Sequence, residues 1–231
     1  HCHLLKYLED RNLFHKFQSG FISNHSCNTA LIRICNSWTK AIDEGKIVGA
    51  VYLDLRKAFD MVDHDILLKK LSTYFQNEDP VILLRSYLSD RTQRTYVNGS
   101  LSPLIDTYHG VPQGSIIGPL LFCLYINDLT LHLRHKSVAL DLFADDASLS
   151  ASGKNPHTFQ KAMQESINDV QQWCALNKMA LNPSKSKCMI LAVRQKHQIR
   201  PLCLHIQLGG QSIDQVKEHK LLGVVIDAQL N

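Results

Sequence analysis

Between Ile47 and Leu53 the side chains are almost continuously apolar, and the run stops at Asp54. A run of this length reads as a strand buried on both faces, so the chain must build a sheet around it and cover it twice. The second constraint is Leu142-Phe143-Ala144-Asp145-Asp146-Ala147-Ser148-Leu149, two adjacent carboxylates between the strand-like runs Ser137–Phe143 and Ala147–Ala151. That pattern predicts a β-hairpin with Asp145 and Asp146 at its tip. Acidic turns also arise for a plain reason, because Asp bonds nearby backbone amides. If the two strand systems are neighbours in one sheet, Asp54 faces Asp145 across its edge.

The rest of the chain supplies the covering layers. Leu4 to Phe17 has apolar residues at roughly helical spacing. From Asn28 to Glu44, Leu31, Ile34, Cys35, Trp38, Ala41 and Ile42 mark one face of a helix, with Ser26 as cap and Gly45 as stop. Asp63 caps a helix running to about Phe75, and Asp79-Pro80 opens another that runs through Leu88. Gln93 to Tyr108 reads as a hairpin turning at Asn98-Gly99. A Gly110-Val111-Pro112-Gln113-Gly114-Ser115 loop leads into a helix from about Pro119 to Leu129. A long helix opens at Asn155-Pro156 and buries Phe159, Met163, Ile167, Val170, Trp173 and Cys174. Strand-like runs follow at Lys187–Val193, Cys203–Leu208 and Leu221–Asp227. Strands and helices mix without strict alternation, which favours α+β over a doubly wound sheet.

Composition narrows the class. With 45% hydrophobic and 20% charged residues, the chain is a folding one rather than a disordered one. No apolar run is long enough for a membrane span, and the first residues do not form a signal peptide. A net charge of +4 is compatible with nucleic acid without establishing it. The seven cysteines lack any Cys-x-x-Cys spacing and read as reduced thiols of an intracellular protein. His1-Cys2-His3 and His132 with His135 have no matching second ligand pair, so no structural zinc is expected. The first residue is His and the last follows an apolar run, which suggests a segment of something longer.

Three carboxylates at one sheet edge suit two hard divalent cations about 4 Å apart, bridged by carboxylate oxygens and a triphosphate. Mg²⁺ needs few protein ligands, since it keeps waters and takes substrate phosphates. The chemistry so supplied is activation of a 3′-hydroxyl nucleophile and charge stabilisation on leaving pyrophosphate.

Here the residues carry a resemblance. Val51-Tyr52-Leu53-Asp54-Leu55-Arg56-Lys57-Ala58-Phe59-Asp60, with Val62-Asp63-His64 downstream, resembles the first catalytic motif of reverse transcriptases, most of all those of non-LTR (LINE-type) retrotransposons. Gly110 to Pro119 resembles their template- and nucleotide-positioning motif, and Phe143-Ala144-Asp145-Asp146 their metal-binding turn. Gln18-Ser19-Gly20-Phe21, with Ser26 and Ala30-Leu31, is similar to the fingers motif that precedes them. Ser86 to Arg91, Leu181 to Lys185 and His219 to Val224 resemble the remaining motifs in order. Each piece is weak alone; the ordered set covers nearly the whole chain.

The resemblance implies a right-hand polymerase palm, an antiparallel sheet packed on helices, with partial fingers and no thumb. It assigns 1–50 to partial fingers and 51–231 to palm, with a fingers-like insertion over about 64–108. The implied catalytic residues are Asp54, Asp145, Asp146 and Lys185, the three Asp also holding two Mg²⁺ ions, for which Mn²⁺ can substitute. Lys187 is close enough to be confused with Lys185. The implied substrate-binding residues are Leu55 through its carbonyl, Phe59 as a gate against a 2′-hydroxyl, Gln113 and Gly114. Leu222 and Gly223 would support the primer. Implied partners are an RNA template, a DNA primer and dNTPs, with thumb and endonuclease regions in the same polyprotein and no membrane. The implied location is the nucleus or a cytoplasmic ribonucleoprotein. Ile22 stands where related elements have Arg, with Arg33 and Lys46 as cations able to compensate. The rival readings are a group II intron-type or other palm polymerase, and a non-catalytic nucleic-acid-binding remnant.

Overall fold

The Ile47–Leu53 run lies at the centre of a mixed α/β fold. A computed structural model describes residues 1–112, 114–193 and 202–230. In chain order it begins with α1 (Cys2–Asp10), α2 (Cys27–Asp43), β1 (Ile47–Leu53), a 3₁₀ turn (Ala58–Met61), α3 (His64–Leu71) and α4 (Asp79–Leu88). Four short strands follow, β2 (Thr92–Gln93), β3 (Tyr96–Val97), β4 (Ser100–Leu101) and β5 (Ile105–Asp106), then α5 (Gly118–Ile126) and a 3₁₀ segment (Asn127–His132). Next come β6 (Ala139–Phe143), β7 (Asp146–Gly153), α6 (His157–Leu176) and β8 (Lys187–Leu191). The last strands are β9 (Gln207–Leu208), β10 (Gln211–Ser212), β11 (Asp214–Gln215), β12 (Glu218–Leu221) and β13 (Val224–Asp227). The chain divides into two units: His1–Phe14 with Lys57–Ile126, and His15–Arg56 with Asn127–Asn231.

The second unit holds a five-stranded sheet of order β11-β8-β1-β7-β6. β1 runs antiparallel to both neighbours, and β6 and β7 form a hairpin; the parallel pairing is β11 on β8. Every residue of β1 is buried, as a central strand under two layers should be. On one face Val48, Ala50 and Tyr52 meet Leu31, Ile34 and Trp38 of α2. On the other, Gly49 lies against Phe159 of α6, where an added Cβ would fall 2.4 Å from the ring. All six apolar positions predicted for α6 are buried. Ser26 closes a capping box with Thr29, its side chain accepting from the Thr29 amide at 3.1 Å.

The other unit is helical apart from its strand ribbon. α5 has no polar face and is buried at every position but Pro119, as a helix apolar all round should be. Asp63 caps α3, its Oδ1 accepting from the Ile66 amide at 3.0 Å. β2 pairs with β5 and β3 with β4, turning at Asn98-Gly99 with φ of 48° and 82°, the sign pattern of a type I′ turn.

Several predicted boundaries move. The first helix ends at Asp10 rather than Phe17, with Asn12 in the left-handed region. α3 stops at Leu71, and α5 at Ile126, where the chain tightens into a 3₁₀ segment. Cys203–Leu208 is a strand only at Gln207–Leu208. Leu221–Asp227 is part of a hairpin, not one strand: Leu222 and Gly223 both take positive φ, and β12 folds back on β13. No described helix is long and apolar enough to cross a membrane.

Candidate active site

The two ends of the pairing of β1 with β7 set the site. Their last paired residues are Leu53 and Ala147, so the next residues outward are Asp54 and Asp146. Continuing the antiparallel register places these two opposite each other, at the Cα spacing of about 4.5–5.5 Å that facing residues take. Phe143 pairs with Asp146, so the hairpin turn is Ala144-Asp145. The prediction put Asp145 and Asp146 together at the tip, with Asp145 facing Asp54. In the structure Asp146 is the first residue of β7, paired with Phe143, and Asp145 lies in the turn. Only Ala144 of the turn pair has positive φ (53°), the sign pattern of a type II′ turn.

Electrostatics follows from that placement. Asp146 is held above the ordinary carboxylate range, first by desolvation, then by the charges of Asp145 and Asp54. Asp145 and Asp146 reach solvent and Asp54 is half-buried. Three carboxylates thus raise the negative potential at one end of the sheet. Among the described residues no group of three or more His, Cys, Asp or Glu is arranged to hold a metal ion. The donors gathered here are carboxylate oxygens, the type of ligand that a hard cation takes alongside water and phosphate oxygens.

The loop after α6 fixes Asp54 through its backbone. The Asp54 amide donates to Ser186 Oγ at 3.2 Å, and its carbonyl accepts from the Asn182 amide at 2.8 Å. Leu55 bridges Leu181, and the Arg56 amide donates to the Ala180 carbonyl at 2.8 Å. Ser186, buried and donating to the Asn182 carbonyl at 2.9 Å, is a contributor the sequence reading missed. Lys185 is exposed on this loop. The rival Lys187 is occupied, donating to Asp214 at 2.7 Å and to the Ser184 carbonyl at 3.1 Å.

A second contact was missed as well. Gln18, from the fingers-like motif, is buried beside the hairpin, and its Oε1 accepts from the amides of Gly20 (2.8 Å) and Ala144 (3.3 Å). Its partner is 126 residues away, so no local pattern reveals it. Neither cation thought able to replace an Arg at Ile22 is spare. Arg33 donates to Asp141 at 2.8 Å and to the Phe17 carbonyl at 3.3 Å, and Lys46 pairs with Glu44 at 2.6 Å.

The remaining expected residues are placed separately. Phe59 is in the other unit, half-buried, its ring 4.5 Å from that of the buried Phe122. There Gly110, at φ 85°, lies close to Asp60, where an added Cβ would fall 3.1 Å from the Asp60 backbone, and the Val111 amide donates to the Phe59 carbonyl at 2.9 Å. Gly114 has φ 79° and open space around it. Gln113 lies outside the described residues. Leu222 and Gly223 form the turn between β12 and β13, in the sheet-bearing unit. His219, on β12, stacks on Tyr52 of β1 at 3.9 Å between ring centroids.

Comparison with known proteins gives one answer at two levels. The family described as "Reverse transcriptase (RNA-dependent DNA polymerase)" matches residues 2–226. The chain is 30% identical over 96% of its length to a probable RNA-directed DNA polymerase from transposon BS of Drosophila melanogaster. It is 28% identical over 93% of its length to the RNA-directed DNA polymerase from mobile element jockey of the same species. It spans about a quarter of the length of these relatives, 25% and 23%. In fold it is similar to telomerase from Candida albicans in complex with a fragment of telomeric RNA, with a TM-score of 0.67 at 13% identity, covering 98% of this chain and 37% of that one.

Proposed function

The chain belongs to the reverse transcriptase family, with relatives from non-LTR (LINE-type) retrotransposons, and on that premise we propose that it carries the nucleotidyl-transfer site of an RNA-directed DNA polymerase. The supporting observation is the register that sets Asp54 opposite Asp146 with Asp145 in the adjoining turn. The reaction is attack of a primer 3′-hydroxyl on the α-phosphate of a dNTP: the new ester bond forms as the α–β phosphoanhydride bond breaks, the hydroxyl proton passes to solvent, and pyrophosphate leaves. When bound, two Mg²⁺ ions (or Mn²⁺) supply the Lewis acidity that lowers the hydroxyl pKa and neutralises charge on the leaving group.

Each residue then has a task. Asp54 and Asp145 are the direct carboxylate ligands, Asp146 supports them, and the Leu55 carbonyl adds an oxygen donor. Lys185, exposed beside the loop that pins Asp54, donates a proton to departing pyrophosphate. Phe59 stands as the bulky gate against a 2′-hydroxyl, its ring backed by Phe122. Gln113 and Gly114 approach template and nucleotide, and the Leu222-Gly223 turn supports the primer end. On this reading residues 51–231 are the palm, with about 64–108 a fingers-like insertion. Residues 1–50 are partial fingers on the same reading. RNA template, DNA primer and dNTPs are the partners, in a nuclear or cytoplasmic ribonucleoprotein.

The test is Mg²⁺-dependent extension of a DNA primer on an RNA template, by this chain and by the full reading frame that encodes it. Extension that disappears in Asp54→Asn and Asp145→Asn supports the site. Duplex binding without extension in the full reading frame favours a nucleic-acid-binding remnant instead.

A further inference from the structure

The turn that carries Asp145 is not self-supporting. Its first residue, Ala144, has φ 53°, a conformation that costs any residue with a Cβ. β6 is moreover the edge strand of the sheet, with one side open to pairing. Residues Phe17 to Gly20 fill that side. The Ser19 amide donates to the Leu142 carbonyl at 2.9 Å, and the Leu142 amide donates to the Phe17 carbonyl at 3.0 Å. Gln18 then reaches the turn itself, its one carboxamide oxygen accepting from both Gly20 and Ala144. Gly20 presses on the same place: a Cβ there would sit 2.3 Å from the Ala144 nitrogen. Arg33 locks this arm to β6, bridging Asp141 and the Phe17 carbonyl.

The chemistry of Gln18 separates bracing from packing. Its residue exposure is 1%, and its Nε2 is buried with no hydrogen-bond partner. A side chain placed only to fill that volume would be apolar, because an orphaned amide nitrogen costs stability. The carboxamide is there for its oxygen. That oxygen holds the amide of the residue immediately before Asp145.

We propose that Gln18 is a positioning residue for the candidate site: with Gly20 it fixes the Ala144-Asp145 turn so that the Asp145 carboxylate is presented to a divalent cation beside Asp54. The inference rests on the functional reading above and adds to it a residue far away in sequence. Like a hydrogen-bond partner behind a metal ligand, it acts through orientation, and losing such partners typically costs about 10- to 100-fold in metal affinity.

The probe is Mn²⁺ alone, titrated into the 231-residue chain and followed by loss of the free-ion electron paramagnetic resonance signal. Four proteins are compared: wild type, Asp145→Asn, Gln18→Met and Asn98→Ala. Met preserves the volume of Gln, removes the orphaned nitrogen and deletes the acceptor. The expected result is a Gln18→Met chain that unfolds within a few degrees of wild type yet binds Mn²⁺ about tenfold more weakly, with Asn98→Ala unchanged. Unaltered Mn²⁺ binding by a folded Gln18→Met chain overturns the proposal, and so does a fall in affinity matched by an equal loss of stability. A wild-type chain with no Mn²⁺ site lost in Asp145→Asn overturns the functional reading itself, which is a separate failure. If Gln18→Met does not fold, amide exchange of the wild type decides: an Ala144 amide exchanging as fast as Gly99 removes the brace, and a protected one supports it.

Discussion

The β3–β4 and β6–β7 hairpins both have two-residue turns and opposite ways of staying folded. The β3–β4 hairpin turns at Asn98-Gly99, residues that take positive φ readily, and nothing lies within 4 Å of the space a Gly99 side chain would occupy. Its strand residues Tyr96 and Val97 are 68% and 58% exposed. The β6–β7 hairpin turns at Ala144-Asp145, with an alanine in a backbone conformation that its Cβ resists. It holds because Ala147, Leu149 and Ala151 are buried in the sheet and because Phe17–Gly20 grips the turn. One turn is made by its own residues; the other is imposed by the fold. The imposed turn carries the carboxylates, which fits the general tendency of functional sites to store local strain and like-charge repulsion.

The largest difference expected between the two is in activity. Asp54→Asn or Asp145→Asn should lower primer extension by on the order of a hundred- to a thousandfold or more, the scale lost when one element of electrostatic stabilisation is removed. Neither should lower the unfolding midpoint, because each removes a charge from a crowded trio. Tyr96→Ala on the exposed hairpin should change stability by less than about 0.5 kcal/mol. A carboxylate variant that unfolds the chain would erase the contrast, since those residues would then be structural.

Next in size is the turn of the exposed hairpin. Gly99→Ala should cost about 1 kcal/mol, wholly as backbone strain, because no atom stands in the way of the new methyl group. The loss should appear as faster amide exchange across residues 96–101, with the global unfolding midpoint unmoved. A drop in the midpoint would show that the ribbon is coupled to a core.

The same contrast explains what could be read from the chain. The central strand was legible because seven apolar residues in a row leave few alternatives, and α2 because Ser26 and Gly45 mark its ends. α6 followed from periodicity alone. What escaped was set by tertiary contacts: Asp146 opposite Asp54 depends on a register between strands about 90 residues apart, which strand periodicity does not fix. Ser186 behind the Asp54 amide and Gln18 behind Ala144 have no local signature either. Leu222 at φ 47° hid the β12–β13 turn, since an apolar residue in that conformation looks like strand. The family resemblance named the carboxylates; the geometry distributed them between a strand start, a strand end and a turn.

A smaller effect tests whether Ala144 is strained for a purpose. Ala144→Gly removes the steric penalty and loosens the turn, so stability should rise by at most about 1 kcal/mol. Extension should nevertheless fall several-fold, because the restraint on Asp145 is weaker. Equal gains in both would mean that the strain has no part in the site.

The smallest effect concerns the support beneath the hairpin. Burial pushes the Asp141 carboxyl above its usual range, and the Arg33 guanidinium beside it only partly opposes that shift. A carboxyl whose folded pKa is raised binds its proton more tightly in the native state, so its contribution is present in full below the unfolded value. It is lost as pH rises through the folded value. The urea midpoint of the wild type, measured against Asp141→Asn, should therefore slope downward from about pH 4 upward before levelling off. If Asp141→Asn leaves the slope unchanged, the ion pair under the imposed turn is not coupled to folding, and the brace must then work through its backbone and Gln18 bonds alone.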